Sequence, residues 1–445
     1  VSGSQAILNT LAHTAAMITF ILCGNARFAI YSNATLFMHV HREKIMKHVF
    51  DYVIVGGGLA GASAVEGIRE LDETGSILLV CGEDHLPYDR PPLSKKLWFG
   101  KMKVDEIFLH DQKFYDTHTV TLALGIKSVR LDPVKKTITN NNNHTFGYGK
   151  LLLATGCKVR TLTIPGGDLA DICYFRNLDD YLRIRAVAAE GKSAVVVGGG
   201  FIGSELAAAL NINKLNVTMI FPGTLLCDRV FPDYLGRAVQ GRYVEKGVRV
   251  LASEKPVSFS KKGAKFITRT EKGEEIESDL VIVGVGVIPD MELAKIAGLE
   301  VGNGIVVNEY LETSNPDIYA AGDNAFFPYQ ALGQSMRMEH WDNALNQGKW
   351  AGRNMAGAHE PYTYQPYFFS DLFEFGYEAT GEVDSKMETF ADWQKENDTG
   401  VIYYLREGKV RGVMMCNVWD KVEMARELIK RGGKTTPEKL RGLIA

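Results

Sequence analysis

The chain has 445 residues, 46% apolar and 23% charged, a globular composition that excludes wholesale disorder, collagen-like repeats and a disulfide scaffold. At roughly 150 residues per domain this length predicts about three domains. Its 50 Lys and Arg against 53 Asp and Glu leave a net charge of −3. That is too little to hold the chain on nucleic acid or an anionic membrane, so any docking patch is local.

Six cysteines, at 23, 81, 157, 173, 227 and 416, stand too far apart for CxxC or zinc-ribbon spacing. They predict free, mostly buried thiols in a reducing compartment, with no metal site. Residues 1–45 carry one acid, Glu43, and no alternation or heptad. Their apolar run, 15–23, is far shorter than the roughly 20 residues a spanning helix needs. They read as a transit peptide, as a signal peptide without its basic n-region, or as upstream sequence ahead of a start at Met46. The third is preferred, because Met46 leads straight into the first strand. A cytoplasmic protein with no membrane span is expected, or a mitochondrial one if the segment is a transit peptide.

From residue 50 the punctuation becomes regular. Residues 51–55 predict a buried strand, and Gly56, Gly58 and Gly61 form a GxGxxG turn. Residues 62–71 have helical spacing, and 76–80 predict a second strand. The same grammar returns 142 residues on (198 − 56): strand 193–197, then Gly198, Gly200 and Gly203, a helix from 204, and strand 216–221. One such motif is weak, but two in strand–turn–helix context predict two dinucleotide-binding units. The first glycine makes the turn, the second admits a pyrophosphate, and the third lets the helix pack on the strand.

The ends of the second strands differ. Glu83 lies 22 residues past Gly61 (83 − 61), where a carboxylate accepts a ribose hydroxyl. After the second motif the strand ends Phe221-Pro222-Gly223 with no acid, and Arg229 is a weak basic candidate. NAD and NADP therefore both stay open.

Further landmarks are a strand closing on Ala154-Thr155-Gly156 and a strand 279–289 carrying Gly284 and Gly286. A strand leading to Gly322-Asp323 follows, then Glu339-His340-Trp341 ahead of a helix over 342–355. Residues 401–405 and 409–415 around Glu407-Gly408 predict a β-hairpin, followed by a helix over 421–431. Flavin-linked dithiol chemistry would need CxxxxC or CxxC near a nucleotide motif, and neither occurs.

The segment Pro87-Tyr-Asp-Arg90-Pro-Pro-Leu-Ser94-Lys95, with both glycine motifs, Ala154-Thr155-Gly156 and Ala321-Gly322-Asp323, resembles the FAD-dependent pyridine nucleotide oxidoreductases of the ferredoxin and rubredoxin reductase type. Residues 96–99 and 375–384 are more similar to apoptosis-inducing factor. The resemblance implies an α/β fold of two Rossmann-like domains with a small α+β C-terminal domain. It implies an FAD domain from 48–160 and 288–362, an NAD(P) domain over 161–287, and a C-terminal domain over 363–445.

Carried over by position, Gly56, Gly58, Gly61 and Glu83 would bind the adenosine half of FAD. Arg90 and Lys95 would lie against the isoalloxazine, Ala154, Thr155 and Gly156 would line it, and Asp323 would take a ribityl hydroxyl. Gly198, Gly200, Gly203 and Gly286 would hold NAD(H) or NADP(H). Lys95 and Glu205 would pair beside flavin N5, and Trp341 would face the flavin with Glu339 and His340 before it. From the residues alone, Lys95 could equally be a solvated loop lysine, and Glu205 a carboxylate favoured by its helix dipole. His340 reads as a local orienter, because hydride transfer needs no proton shuttle.

Two functions share this pocket. In the preferred one, an enzyme takes a hydride from the nicotinamide and passes electrons to an iron–sulfur protein such as ferredoxin or rubredoxin. In the other, an apoptosis-inducing-factor-like redox sensor turns over slowly; a homodimer is open in both. An acidic ferredoxin would need a basic patch, and Lys421, Arg426, Lys430, Arg431, Lys434, Lys439 and Arg441 supply one, with Arg426 and Lys430 on one helix face. The protein should purify yellow with one FAD per chain; FMN released on denaturation, or no flavin after reconstitution, would refute this reading.

Overall fold

The computed structural model describes residues 48–444; the expectations for residues 1–45 and for a start at Met46 lie outside them. Strand β1 (Val49–Val55) is buried from Tyr52 onward, so its apolar run meets covering layers on both faces. It turns at Gly56 into helix α1 (Leu59–Arg69) and pairs in parallel with β2 (Ile77–Val80). Val120–Ala123 lies beyond β2, and Thr145–Leu153 flanks β1 on its other side. The outermost parallel strand, Ile318–Ala320, returns from after the second nucleotide motif. Ser128–Asp132 and Thr137–Asn140 extend Thr145–Leu153 as an antiparallel arm.

The second motif repeats this plan. Strand β3 (Ser193–Val197) leads through Gly198 to helix α2 (Phe201–Ile212), and β4 (Asn216–Phe221) pairs in parallel with β3. Arg249–Ala252, Leu280–Val283 and Cys173–Tyr174 complete the parallel sheet. A three-stranded meander over Pro256–Lys262, Lys265–Thr270 and Glu275–Ser278 again accompanies it. The two chain passages between the sheets pair with each other, Cys157–Val159 against Val287–Pro289.

Helix α3 (Trp341–Met355) lies across α1 at very short range. A β-carbon on Gly348 would stand 2.2 Å from the Ala60 carbonyl oxygen, and one on Gly352 2.2 Å from that of Ala64. Only glycine allows this approach, and it fixes where the first residue of α3, Trp341, is presented. The C-terminal residues form a five-stranded antiparallel sheet in the order Tyr367–Leu372, Phe375–Gly381, Lys409–Cys416, Thr399–Arg406, Glu388–Lys395. The expected hairpin is there, with Glu407 at φ 55° and Gly408 at φ 74° in its two-residue turn.

Helix α4 (Val422–Arg431) covers that sheet and corrects one expectation. Arg426 does not share a solvated face with Lys430; it is buried, with Ala425 and Ile429. Its guanidinium donates to the Gln365 carbonyl at 2.6 Å and the Tyr364 hydroxyl at 2.7 Å, and pairs with Asp342 at 3.3 Å. A buried cation needs partners, and Asp342, at the start of α3, is one of them.

Two glycines test the packing argument. Gly241 sits inside helix Asp233–Glu245 with open space where a β-carbon would go, so Gly241→Ala should stabilise by about 0.5–1 kcal/mol. Gly352→Ala should destabilise by about 1–3 kcal/mol through overpacking. Urea unfolding of both variants gives the two signs; equal effects would mean that α1 and α3 yield freely.

Candidate functional site

The two glycine turns have nearly the same backbone. Gly56 and Gly198 take φ 126° and 127°, a region that side chains avoid. Gly58 and Gly200 cap α1 and α2 at φ −91° and −85°, each with ψ −171° and no capping side chain. Neither would meet any atom within 4 Å at a β-carbon position, so both helix N-termini face open space. Gly61 and Gly203 are the close contacts: their β-carbons would stand 2.0 Å from the Gly56 and 2.2 Å from the Gly198 carbonyl oxygens. Both turns open into one cleft of about 1230 Å³, which Gly286 also lines.

The same cleft is lined by a buried ion pair. The Lys95 ammonium is 3.2 Å from Glu205 Oε1, with side chains only 8% and 6% exposed. Ser94 Oγ donates to Glu205 Oε2 and Ser370 Oγ to Oε1, each at 2.5 Å. Lys95 also stands 4.5 Å over the Phe369 ring, with Asp371 at 4.0 Å. Lys95 is therefore no solvated loop lysine, and Glu205, fifth residue of α2, is held by more than a helix dipole.

The other expected residues surround the same cleft. Glu83 accepts from Arg90 at 2.7 Å and from the Tyr88 hydroxyl at 2.5 Å. Arg90 also donates to the Arg176 carbonyl. Ala154 lies against Gly56. Thr155 donates to the Asp290 carbonyl and accepts from Asn324, while Gly156 turns at φ 63°. Asp323 pairs with Arg176 at 2.9 Å, and Glu339 with Arg337 at 2.7 Å. Trp341 Nε1 donates to Asp89 at 2.7 Å; burial pushes that carboxyl above its ordinary range, and the indole bond opposes it. His340 stacks on Phe368 at 4.3 Å, and burial lowers its imidazole to about 4, with Asp323 pulling the other way. It is neutral near pH 7, with a single ring N–H and no second proton.

Sequence reasoning missed Ser94, Asp89, Arg176 and the strand residues Phe368, Phe369 and Ser370. Ser94 lay inside a recognised motif. The strand residues lie in a stretch for which the sequence suggests no site, and nothing local marks them as reaching α2.

Residues 50–348 match the family described as Pyridine nucleotide-disulphide oxidoreductase. The chain belongs to that family. Residues 351–399 and 391–431 match a second family, "Apoptosis-inducing factor, mitochondrion-associated, C-term". The chain is 33% identical to "Apoptosis-inducing factor 1, mitochondrial" of Dictyostelium discoideum, over 85% of this chain and 78% of that one. It is 32% identical to the ferredoxin–NAD(+) reductase component of the anthranilate 1,2-dioxygenase system of Burkholderia cepacia, over 87% and 96% of the two chains. The solved structure of a covalent putidaredoxin reductase–putidaredoxin complex is similar at a TM-score of 0.83 and 28% identity, covering 89% of this chain and 96% of that one.

A member of this family is an oxidoreductase with FAD and NAD(P)H as cofactors, and the residues present fit that demand. Two uncapped helix N-termini have backbone N–H groups that could receive two pyrophosphates. The described cysteines, 81, 157, 173, 227 and 416, are all buried and unpaired, and burial raises the Cys81, Cys157 and Cys227 thiols to about 12. No helix among the described residues is long and apolar enough to cross a membrane.

His340 gives this site an acid limit. Unfolded, it binds a proton below about pH 6.5; folded, it resists one down to about 4. Stability therefore falls as pH falls through that window. Denaturant titrations at pH 7.5 and 4.5 should show His340→Gln losing less stability on acidification than the parent; equal losses would assign the acid sensitivity elsewhere.

Proposed function

We propose that this oxidoreductase takes reducing equivalents from a nicotinamide dinucleotide at Gly198, Gly200, Gly203 and Gly286, and passes them through FAD to an iron–sulfur carrier of the ferredoxin or rubredoxin type. The observation that carries this reading is the buried Lys95–Glu205 pair, at 3.2 Å, lying in the cleft that both glycine turns share. FAD, when bound, accepts two electrons together and releases them one at a time. The sequence offers no cysteine pair at redox spacing, so the route out is from flavin to a docked acceptor. The similarity to a ferredoxin–NAD(+) reductase component supports that acceptor class.

In this reading, residues 48–160 and 288–362 hold FAD, 161–287 hold the nicotinamide dinucleotide, and 363–445 close the cleft. Gly56, Gly58, Gly61 and Glu83 take the adenosine half of FAD, and Asp323 its ribityl chain. Arg90, Ala154, Thr155 and Gly156 line the flavin, with Trp341 presented to it by Asp89. Glu339 and His340 shape the wall before Trp341. Lys95 stabilises negative charge at the ring, and Glu205 keeps Lys95 in place. The buried thiols favour a reducing compartment.

With Arg426 buried, the acceptor patch is drawn from Lys430, Arg431, Lys434, Lys439 and Arg441, which are all exposed. A second reading, a slow redox-responsive binding protein, is favoured by the match of residues 351–431 to the apoptosis-inducing-factor C-terminal family.

Lys95→Met should slow anaerobic flavin reduction more than it weakens FAD binding. It should also destabilise the fold by about 3–5 kcal/mol, because Glu205 then stays buried without its cation. Unchanged reduction rates in the folded variant would remove Lys95 from the machinery. In an acceptor panel, reoxidation by small iron–sulfur proteins should be fast and should slow with salt, while NADH reduction barely responds. A persistent long-wavelength band with no rapid acceptor would favour the redox-responsive reading instead.

A further inference from the structure

The end of β4 lacks the acid that usually receives the adenine ribose: Phe221 is followed by Pro222 and Gly223. The space is nevertheless claimed by a carboxylate. A β-carbon built on Gly223 would stand 2.3 Å from Asp228 Oδ2 and 3.1 Å from its Cγ. Asp228 thus delivers, from five residues downstream, the group that a side chain at 223 would have supplied.

The loop holds Asp228 there by its backbone. Cys227 takes φ 53°, a left-handed conformation uncommon for a side-chain-bearing residue. Its N–H donates to the Gly199 carbonyl, inside the second glycine turn, at 2.7 Å. On the other side Ser385 Oγ donates to the Asp228 carbonyl at 2.6 Å, and Ser385 N to the Arg229 carbonyl at 3.0 Å. The side chain of Asp228 remains exposed and lines the cleft.

We infer that Asp228 selects NAD(H) over NADP(H), by accepting the ribose hydroxyls at the end of β4 and repelling a 2′-phosphate. The inference rests on the assignment of the second glycine turn to the nicotinamide dinucleotide. In a dinucleotide fold that end of the second strand is where the adenine ribose comes. A 2′-phosphate there would bring a second anion against Asp228. Arg229, next in the chain and also facing the cleft, is the competing determinant, since a guanidinium would welcome that phosphate.

Calorimetric titration of the flavin-loaded protein with NAD+ and with NADP+ reads the preference without turnover. The parent should bind NAD+ more tightly. Asp228→Ala should lose about tenfold in NAD+ affinity, the size of one charge-assisted hydrogen bond, and should gain in NADP+ affinity. Asp228→Asn serves if the alanine variant fails to load flavin. Gly223 has no positive φ, so adding Gly223→Asp to Asp228→Ala should restore the NAD+ preference, which a merely structural loop residue would not allow. Arg229→Ala should leave the preference in place. A parent that binds NADP+ as tightly as NAD+, or an Asp228→Ala variant with an unchanged ratio, overturns the inference and leaves the nucleotide assignment standing. A parent that binds neither overturns both.

Discussion

One carboxylate joins the three parts of this chain. Glu205 belongs to α2 of the second nucleotide unit, Lys95 and Ser94 follow the first, and Ser370 comes from the C-terminal sheet. A buried carboxylate is tolerable only when its charge is paired and its oxygens are occupied. Here each oxygen accepts a serine hydroxyl at 2.5 Å and one also faces the Lys95 ammonium. The three segments therefore fold together or leave an uncompensated charge inside. The same constraint sets a cation at a fixed point in the cleft, so the stability of the assembly and the preparation of the site are one interaction.

The C-terminal sheet enters the site a second way. Arg426 reaches from α4 to Asp342, whose carboxylate also accepts from Tyr364 and the Tyr367 backbone. Asp342 follows Trp341 at the start of α3, and α3 is seated on α1 through Gly348 and Gly352. One side of the cleft is thus fixed by a polar clamp at the head of a helix and by backbone contact along its length. Burial raises the Asp342 carboxyl above its ordinary range, with its hydrogen bonds and Arg426 opposing that shift.

What could be read from sequence was local grammar. Both glycine turns, the strands around them and the Glu407-Gly408 hairpin depend on neighbours in the chain, and their patterns are visible in short windows, whereas Lys95 stood out only through the resemblance of its loop to a known family. The partners of Glu205 lie 111 and 165 residues away, and no periodicity encodes such a meeting. Arg426 was misplaced for a related reason. Its spacing to Lys430 put both on one helix face, but the Arg426 guanidinium turns inward to Asp342, Tyr364 and Tyr367 while Lys430 stays exposed. Charge in a sequence predicts solvation only until a distant carboxylate supplies the alternative.

The two nucleotide turns share a backbone, yet their surroundings differ in a way that fits two kinds of occupancy. Beside the first, Glu83 is locked by Arg90 and Tyr88, and Tyr88 in turn accepts from the Leu178 backbone. The wall that follows, Leu93 through Lys95, is buried. A ligand enclosed by such a wall would leave only if several buried contacts broke. Beside the second turn, Ile202 is 41% exposed, and Asp228 and Arg229 stand in solvent. Contacts there form at an open edge. A flavin that stays for many turnovers suits the first arrangement, and a dinucleotide that exchanges at each suits the second. On the proposed assignment, the duplicated motif would supply the phosphate cradle in both, and what the rest of the chain folds over each would set how readily its ligand leaves.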